Sequence, residues 1–245
     1  MLRTIAFFLY LGVVMLATVF FFPVLGLVGF FGGARARERY LWRLTSGWAR
    51  HLLCVSGVPV EVRRLGVLPT ERALCVVSNH QSAADILLVV GYVPRMVGFM
   101  AKRELKRVPV ISWWMQATHC VFIERRSAAQ ALRAIGYAAQ RIRDGQAMIV
   151  FPEGTRSRGR RMGLFKPGSM KLPKDAGAAI LPVTIDGTYR LFEETGGIRP
   201  APVRITFHPA VPGDKVMRLS RRDLAEHLEA IIARPLEQPA PSKAS

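Results

Sequence analysis

The chain begins with a long apolar stretch, and no charged residue occurs between Arg3 and Arg35. This stretch exceeds the roughly 20 residues that a transmembrane helix needs. Pro23 divides it, so that a single tilted membrane helix and a re-entrant helical hairpin both fit residues 4–34. A cleaved signal peptide fits poorly because only Arg3 precedes the stretch, which is longer than a usual signal core.

Arginine and tryptophan follow the apolar stretch. The arginines that come directly after it are Arg35, Arg37, Arg39, Arg43 and Arg50. Because positively charged flanks stay in the cytoplasm, they predict that the rest of the chain lies on the cytoplasmic side of the inner membrane. Residues 38–54 mix Trp42 and Trp48 with arginine, which fits either a helix at the membrane interface or an amphipathic core helix.

From residue 58 the pattern changes to short apolar runs that alternate with helical stretches. Strands are predicted at 58–63, 73–78, 96–101, 120–123, 147–151, 180–185 and 203–207, and helices at 84–92, 110–117, 127–143 and 221–232. This alternation predicts an α/β fold, a mostly parallel or mixed sheet flanked by helices. We expect membrane-anchoring and interfacial helices in residues 1–55, one α/β domain in 56–235 and a flexible tail in 236–245.

The formal net charge is +18, with 35 lysine and arginine residues against 17 acidic ones. Such a charge fits an anionic membrane surface or nucleic acid. A surface that binds nucleic acid would require aromatic residues among the basic ones, and the basic run in residues 156–161 contains none. The apolar N-terminus favours the membrane as the anionic partner. The five histidines form no cluster with acidic residues at ligand spacing, so we expect neither a metal nor a cofactor.

The segment CVVSNHQSAADILL, residues 75–88, runs from an apolar strand into a polar turn that contains His80. A histidine at the carboxyl end of a strand lies where α/β sheets usually build their sites. Asp85 follows five residues later, and its carboxylate can hold one imidazole nitrogen so that the other acts as a base. No nucleophile-elbow pattern occurs nearby, which favours direct attack by a substrate hydroxyl.

A second strand-to-turn segment, MIVFPEGTRSRGRRMGLFKPGS, covers residues 148–169. Gly154 allows a ligand to approach the backbone closely, and Arg156 carries a planar group suited to phosphate. Glu153 is placed either to orient a substrate hydroxyl or to brace the turn, and the sequence leaves both roles open.

Together these segments resemble the glycerophospholipid acyltransferase family. Its NHxxxxD motif corresponds to residues 79–85, and its FPEGTRS motif is present unchanged in residues 151–157. A third motif, usually a glycine followed by an apolar pair and FIDR, is similar to HCVFIER in residues 119–125, with His119 in place of the glycine. Leu181-Pro182-Val183 matches the last motif, and the four occur in the family's order.

The resemblance implies an enzyme that moves an acyl group from acyl-ACP or acyl-CoA to the sn-2 hydroxyl of 1-acyl-glycerol 3-phosphate. His80 is expected as the general base and Asp85 as its orienting carboxylate. Substrate binding is expected from Lys102, Arg125, Glu153, Gly154, Thr155 and Arg156. His119 is expected to narrow the acceptor pocket.

Three alternatives remain at this point. The acceptor can be another lysolipid, a lyso-aminolipid or glycerol 3-phosphate. A lipid-binding protein without catalysis is disfavoured because it needs neither His80 nor Asp85. Nucleic-acid binding is disfavoured for the reasons given above.

Overall fold

The computed structural model describes residues 1–124 and 127–240. Eight α-helices occur in this part of the chain: α1 (Leu2–Ala17), α2 (Phe21–Val55), α3 (Asp85–Tyr92), α4 (Ile111–Ala117), α5 (Ala128–Arg143), α6 (Lys171–Ala176), α7 (Gly213–Arg218) and α8 (Arg221–Ala233). The seven strands are β1 (Val60–Arg64), β2 (Leu74–Ser78), β3 (Val97–Lys102), β4 (Val121–Ile123), β5 (Ala147–Val150), β6 (Ala179–Asp186) and β7 (Val203–Phe207). The predicted α/β class is confirmed. The two short helices α6 and α7 have no counterpart among the predicted elements, since six residues are too few for a helical period to stand out.

The strands form one sheet in the order β1-β7-β6-β2-β5-β3-β4. All neighbouring strands are parallel except β6 and β7, which are antiparallel. Every residue of β2 and of β6 is buried. Strands covered on both faces are continuous apolar runs, which is why the sequence shows no alternation there.

Helices cover both faces of the sheet. Leu74 and Val76 of β2 point into a core shared with α3, whereas Cys75 and Val77 point into the opposite core, shared with α5 and α8. This alternation follows from the two-residue period of a strand. The carboxyl ends of β2, β5 and β3 therefore meet at one edge of a sheet that is fixed from both sides.

The N-terminal region is a helical hairpin. α2 is interrupted at Gly33, whose φ of 74° is not helical and suits glycine, and the chain reverses there. The side chain of Arg37 lies against Gly29 across this turn. Near the other end, Arg3 Nη2 donates to Ser56 O at 3.0 Å, and Tyr10 Oη lies within hydrogen-bonding distance of His51 Nε2. Residues near the start of the apolar stretch are thus neighbours of residues 51–56, which follow that stretch. The reversal lies at the end of the apolar stretch and not at Pro23, so residues 2–32 form one arm of the hairpin and residues 34–55 form the other.

The hairpin leaves most of its apolar side chains exposed. Its most apolar 18-residue window has a mean hydropathy of 2.5, and only 6% of that window is buried. The large exposed side chains of α1 are Leu2, Ile5, Phe8, Leu9, Val13 and Leu16. An apolar surface of this extent needs a partner. A membrane provides it, and the N-terminal region is accordingly membrane-associating.

The C-terminal segment begins with contacts to the domain. Gln238 O accepts from Arg160 Nη2, and Pro239 O accepts from Arg204 Nη1 at 3.5 Å. Gln238 and Pro239 thus contact the sheet domain. Residues 241–245 of the predicted tail lie outside the described part.

Candidate active site

Two loops meet at the carboxyl edge of the sheet because β2 and β5 are parallel neighbours. The loop after β2 carries His80, and the loop after β5 carries residues 151–157. Backbone hydrogen bonds join them: Ser157 N donates to His80 O at 2.8 Å, and Arg158 N donates to Gln81 O at 3.2 Å. The two segments that the sequence singled out are therefore a single site.

His80 and Asp85 are paired as predicted. His80 Nδ1 lies 2.7 Å from Asp85 Oδ2, the Asp85 side chain is fully buried, and 18% of the His80 side chain is exposed. Because Nδ1 is engaged by the carboxylate, Nε2 is the nitrogen that can accept a proton from a substrate. The pair has the arrangement that general-base catalysis requires.

The Asp85 carboxylate is held by four donors. Oδ2 also accepts from Gln81 N at 2.7 Å and Ser82 N at 2.9 Å, and Oδ1 accepts from the hydroxyl of Thr188 at 2.5 Å. The two backbone hydrogen bonds are local, because Asp85 is the first residue of α3 and Gln81 and Ser82 belong to the turn that precedes this helix. Thr188 comes from a distant segment, and the sequence analysis did not identify it.

The side chain of Glu153 connects the loop after β5 to the loop after β2. Its Oε1 accepts from His80 N at 2.6 Å and its Oε2 accepts from Gly163 N at 2.8 Å, while only 4% of the residue is exposed. Burial raises the pKa of this carboxyl, and the two backbone hydrogen bonds oppose that shift. Of the two roles left open by the sequence, this geometry favours the bracing role, since both oxygens are already engaged.

Further contacts fix the histidine loop. The Asn79 side chain exchanges two hydrogen bonds of 2.8 Å with the backbone of Ile185 in β6. The Phe151 ring stacks on His80 with centroids 4.1 Å apart and an interplanar angle of 19°. The imidazole is therefore held by a carboxylate at one nitrogen and by an aromatic ring on one face, which limits its rotation.

A cavity of about 520 Å³ opens beside His80. Part of its wall is apolar and includes Phe99, Ile123, Ile135 and Leu172. The same cavity is lined by three positively charged side chains, those of Lys102, Arg156 and Arg158. The predicted Gly154 and Thr155 also line it. A molecule with an apolar chain and an anionic group fits this combination.

Arg156 is held at the cavity wall by Glu193. Arg156 Nη1 donates to Glu193 Oε1 at 3.1 Å, and the same oxygen accepts from Ala83 N at 3.0 Å. The Glu193 side chain is 5% exposed, compared with 38% for Arg156. The buried carboxylate thus orients an arginine whose remaining donors can receive an anion. Glu193 carries no motif signal, and sequence reasoning missed it.

Of the other predicted residues, Arg125 lies outside the described part of the chain. The amide of Gly154 donates to Phe151 O at 3.0 Å and closes the turn that follows β5. Its φ of 73° explains why glycine occupies the position. No group of three or more His, Cys, Asp or Glu side chains suited to a metal ion occurs in the described residues.

His119 does not line the described cavity, so the expected narrowing of the acceptor pocket is not observed. It lies at the opposite end of the sheet, just before β4, with a φ of 64°. This backbone conformation favours glycine, which accounts for the family's usual residue there. His119 Nδ1 lies 2.7 Å from Arg141 Nη2, and burial together with Arg141 and Arg37 lowers the pKa of the imidazole to about 4.

A family model described as Acyltransferase matches residues 59–186. In chain order these residues run from β1 to the end of β6, and they include both loops of the site. The chain belongs to this acyltransferase family.

The chain is similar to named members of the family. A probable 1-acyl-sn-glycerol-3-phosphate acyltransferase of Mycoplasma genitalium is 31% identical over 210 residues, which cover 80% of this chain and 76% of that protein. The 1-acyl-sn-glycerol-3-phosphate acyltransferase of Borreliella burgdorferi is 29% identical, over 76% of this chain and 74% of its own. The crystal structure of the 1-acyl-sn-glycerophosphate (LPA) acyltransferase PlsC from Thermotoga maritima superposes with a TM-score of 0.83 at 28% identity, over 96% of this chain and 95% of that chain.

Proposed function

We propose that this protein transfers a fatty-acyl group from an acyl thioester, carried on ACP or CoA, to the sn-2 hydroxyl of 1-acyl-glycerol 3-phosphate and so forms phosphatidic acid. The observation that carries the proposal is the pair of His80 Nδ1 and Asp85 Oδ2, 2.7 Å apart, at the wall of a cavity that combines apolar and positively charged side chains. The relatives named for the same reaction support the choice of acceptor.

In the proposed mechanism, His80 Nε2 accepts the proton of the acceptor hydroxyl as its oxygen attacks the thioester carbonyl. Asp85 keeps the imidazole in the tautomer that leaves Nε2 unprotonated, and it stabilises the imidazolium that forms. Collapse of the tetrahedral intermediate breaks the carbon–sulfur bond, and the imidazolium returns the proton to the leaving thiolate. No covalent acyl-enzyme is required in this scheme.

Arg156 and Lys102 are proposed to bind the phosphate of the acceptor. Both line the cavity beside His80, and the hydrogen bond from Arg156 to buried Glu193 limits the arginine's motion. A guanidinium can bind phosphate through two parallel hydrogen bonds. Arg125 is proposed as a further phosphate ligand on the strength of its motif, and Gly154 and Thr155 contribute cavity wall.

The membrane-associating hairpin suits this chemistry. Acceptor and product both carry acyl chains, and each CH₂ moved from lipid into water costs about 0.8 kcal/mol. An enzyme on the bilayer avoids that cost. The arginines that follow the apolar segment support a site facing the cytoplasm at the inner membrane.

The test uses membranes that contain the full-length protein, a labelled acyl donor and lysophosphatidic acid. We expect wild type to form phosphatidic acid and His80→Ala to lose about 10²-fold or more of kcat. His227→Ala serves as the matched control, because this histidine lies on α8 beside Lys215 and away from the site. Equal activity of wild type and His80→Ala would contradict the general-base mechanism.

Two further arms resolve the substrates. Acyl-ACP and acyl-CoA are supplied in parallel, and the donor is the thioester that supports turnover. A wild type that acylates glycerol 3-phosphate or another lysolipid but not lysophosphatidic acid would overturn the proposed acceptor while retaining the chemistry.

A further inference from the structure

The side of Asp85 that faces away from His80 contacts a residue that belongs to none of the sequence motifs. Thr188 Oγ1 lies 2.5 Å from Asp85 Oδ1, and both residues are fully buried. We infer that Thr188 is a positioning residue for the acyl transfer, one that orients the Asp85 carboxylate toward His80 and partly neutralises its charge. This inference rests on the proposed role of the pair His80 and Asp85.

The fold places Thr188 there by way of the sheet. β6 lies beside β2, and the chain turns directly after β6 at Gly187, whose φ is 102°. Gly187 N donates to Gln81 Oε1 at 2.9 Å, which ties this turn to the histidine loop. The hydroxyl of Thr188 is thereby delivered to a carboxylate 103 residues away in sequence.

The hydrogen bond has two physical effects. First, the carboxylate can rotate about its own bond unless both oxygens are held. Oδ2 is held by His80, Gln81 and Ser82. Within the described residues, Oδ1 accepts its hydrogen bond from Thr188. Second, a hydroxyl that donates to a buried carboxylate withdraws part of its negative charge. This limits how strongly Asp85 favours the protonated form of His80.

Other charged groups surround the pair, and the substitutions below leave them in place. Glu153 accepts from His80 N, and Glu193 accepts from Ala83 N in the same loop. Lys102, Arg156 and Arg158 line the cavity that His80 faces, and Arg160 pairs with Asp186 at the end of β6.

The experiment compares Thr188→Val, which removes the hydroxyl at nearly constant shape, with Thr188→Ser, which keeps it. Both full-length proteins are assayed in membranes with acyl-CoA or acyl-ACP and lysophosphatidic acid, over a range of pH. For Thr188→Val we expect kcat to fall about tenfold and KM for the acceptor to change less than about twofold. The acidic limb of the kcat/KM profile should move to higher pH by about half a unit, because the carboxylate then keeps more charge and favours protonated His80. Thr188→Ser should stay within about twofold of wild type.

Thr184→Val is the matched control. Thr184 is also a buried threonine in this region, in β6, but its hydroxyl bonds to Ile232 O at 2.8 Å and lies 2.8 Å from His208 Nε2. It should affect melting temperature without moving the pH profile. If Thr188→Val does not fold, Thr188→Ala replaces it. An unchanged profile in the variant that lacks the hydroxyl, or the same shift in Thr184→Val, overturns the inference.

Failure of this inference is distinguishable from failure of the proposed function. With active wild type and inactive His80→Ala, a normal Thr188→Val refutes only the role of Thr188. If His80→Ala retains full activity, the base mechanism itself fails.

Discussion

The two ends of the sheet each hold a histidine, and their surroundings differ in charge. At the carboxyl end, His80 Nδ1 contacts the carboxylate of Asp85, and the ring faces a cavity. At the amino end, His119 Nδ1 contacts the guanidinium of Arg141, and the ring lies outside that cavity. A carboxylate stabilises an imidazolium and an arginine opposes it, so only the first histidine is suited to carry a proton during turnover.

The largest expected effect comes from removing the negative charge at the carboxyl end. Asp85→Asn keeps the shape of the side chain but presents an amide to His80 and to the amides of Gln81 and Ser82. We expect kcat to fall about 10²- to 10⁴-fold, because the imidazole loses its orienting partner. Steady-state kinetics with lysophosphatidic acid measure the effect, and circular dichroism checks the fold. A loss below about fivefold would contradict the importance of the pair.

An intermediate effect is expected at Arg156, the residue proposed to bind the phosphate of the acceptor. Arg156→Ala should raise KM for lysophosphatidic acid about tenfold and leave kcat within about threefold, since a phosphate contact contributes to binding before reaction. Arg161→Ala is the control, an exposed arginine of the same loop. Equal KM values in the two variants would indicate that Arg156 does not contact the acceptor.

The smallest effect on activity is expected at the amino end. His119→Gly should leave kcat and KM within about twofold of wild type, because His119 does not line the cavity and glycine suits its positive φ. A loss of activity similar to that of Asp85→Asn would remove the functional distinction between the two ends.

His119→Gly should also change how the melting temperature of the protein depends on pH in the acidic range. The folded protein holds the His119 pKa at about 4, below the ordinary value of 6.5. Stability from the neutral imidazole is present above pH 6.5 and is lost as the pH falls toward 4, because the unfolded chain takes up the proton first. Melting temperatures between pH 7 and pH 4 should therefore decline less steeply in His119→Gly than in wild type. Parallel curves would show that this histidine does not govern the acid response.

Much of this arrangement was predictable because it is local. Short apolar runs predicted the seven strands of the described sheet. A separation of five residues placed Asp85, the first residue of α3, within reach of His80. Strand-to-turn transitions located both loops of the site. The apolar N-terminus indicated a membrane association by composition alone.

Other features depended on contacts between distant segments. Thr188 reaches Asp85, and Glu193 reaches Arg156, only because β6 lies beside β2. The bracing contacts of Glu153 required its loop to pack against the backbone of His80. Sequence spacing did not show that the apolar arm of residues 2–32 lies against residues 34–55, since this packing depends on contacts such as that of Arg3 with Ser56. The sequence thus determined which groups can do chemistry, through their types and local spacing, whereas strand order decided which distant side chains hold them in place.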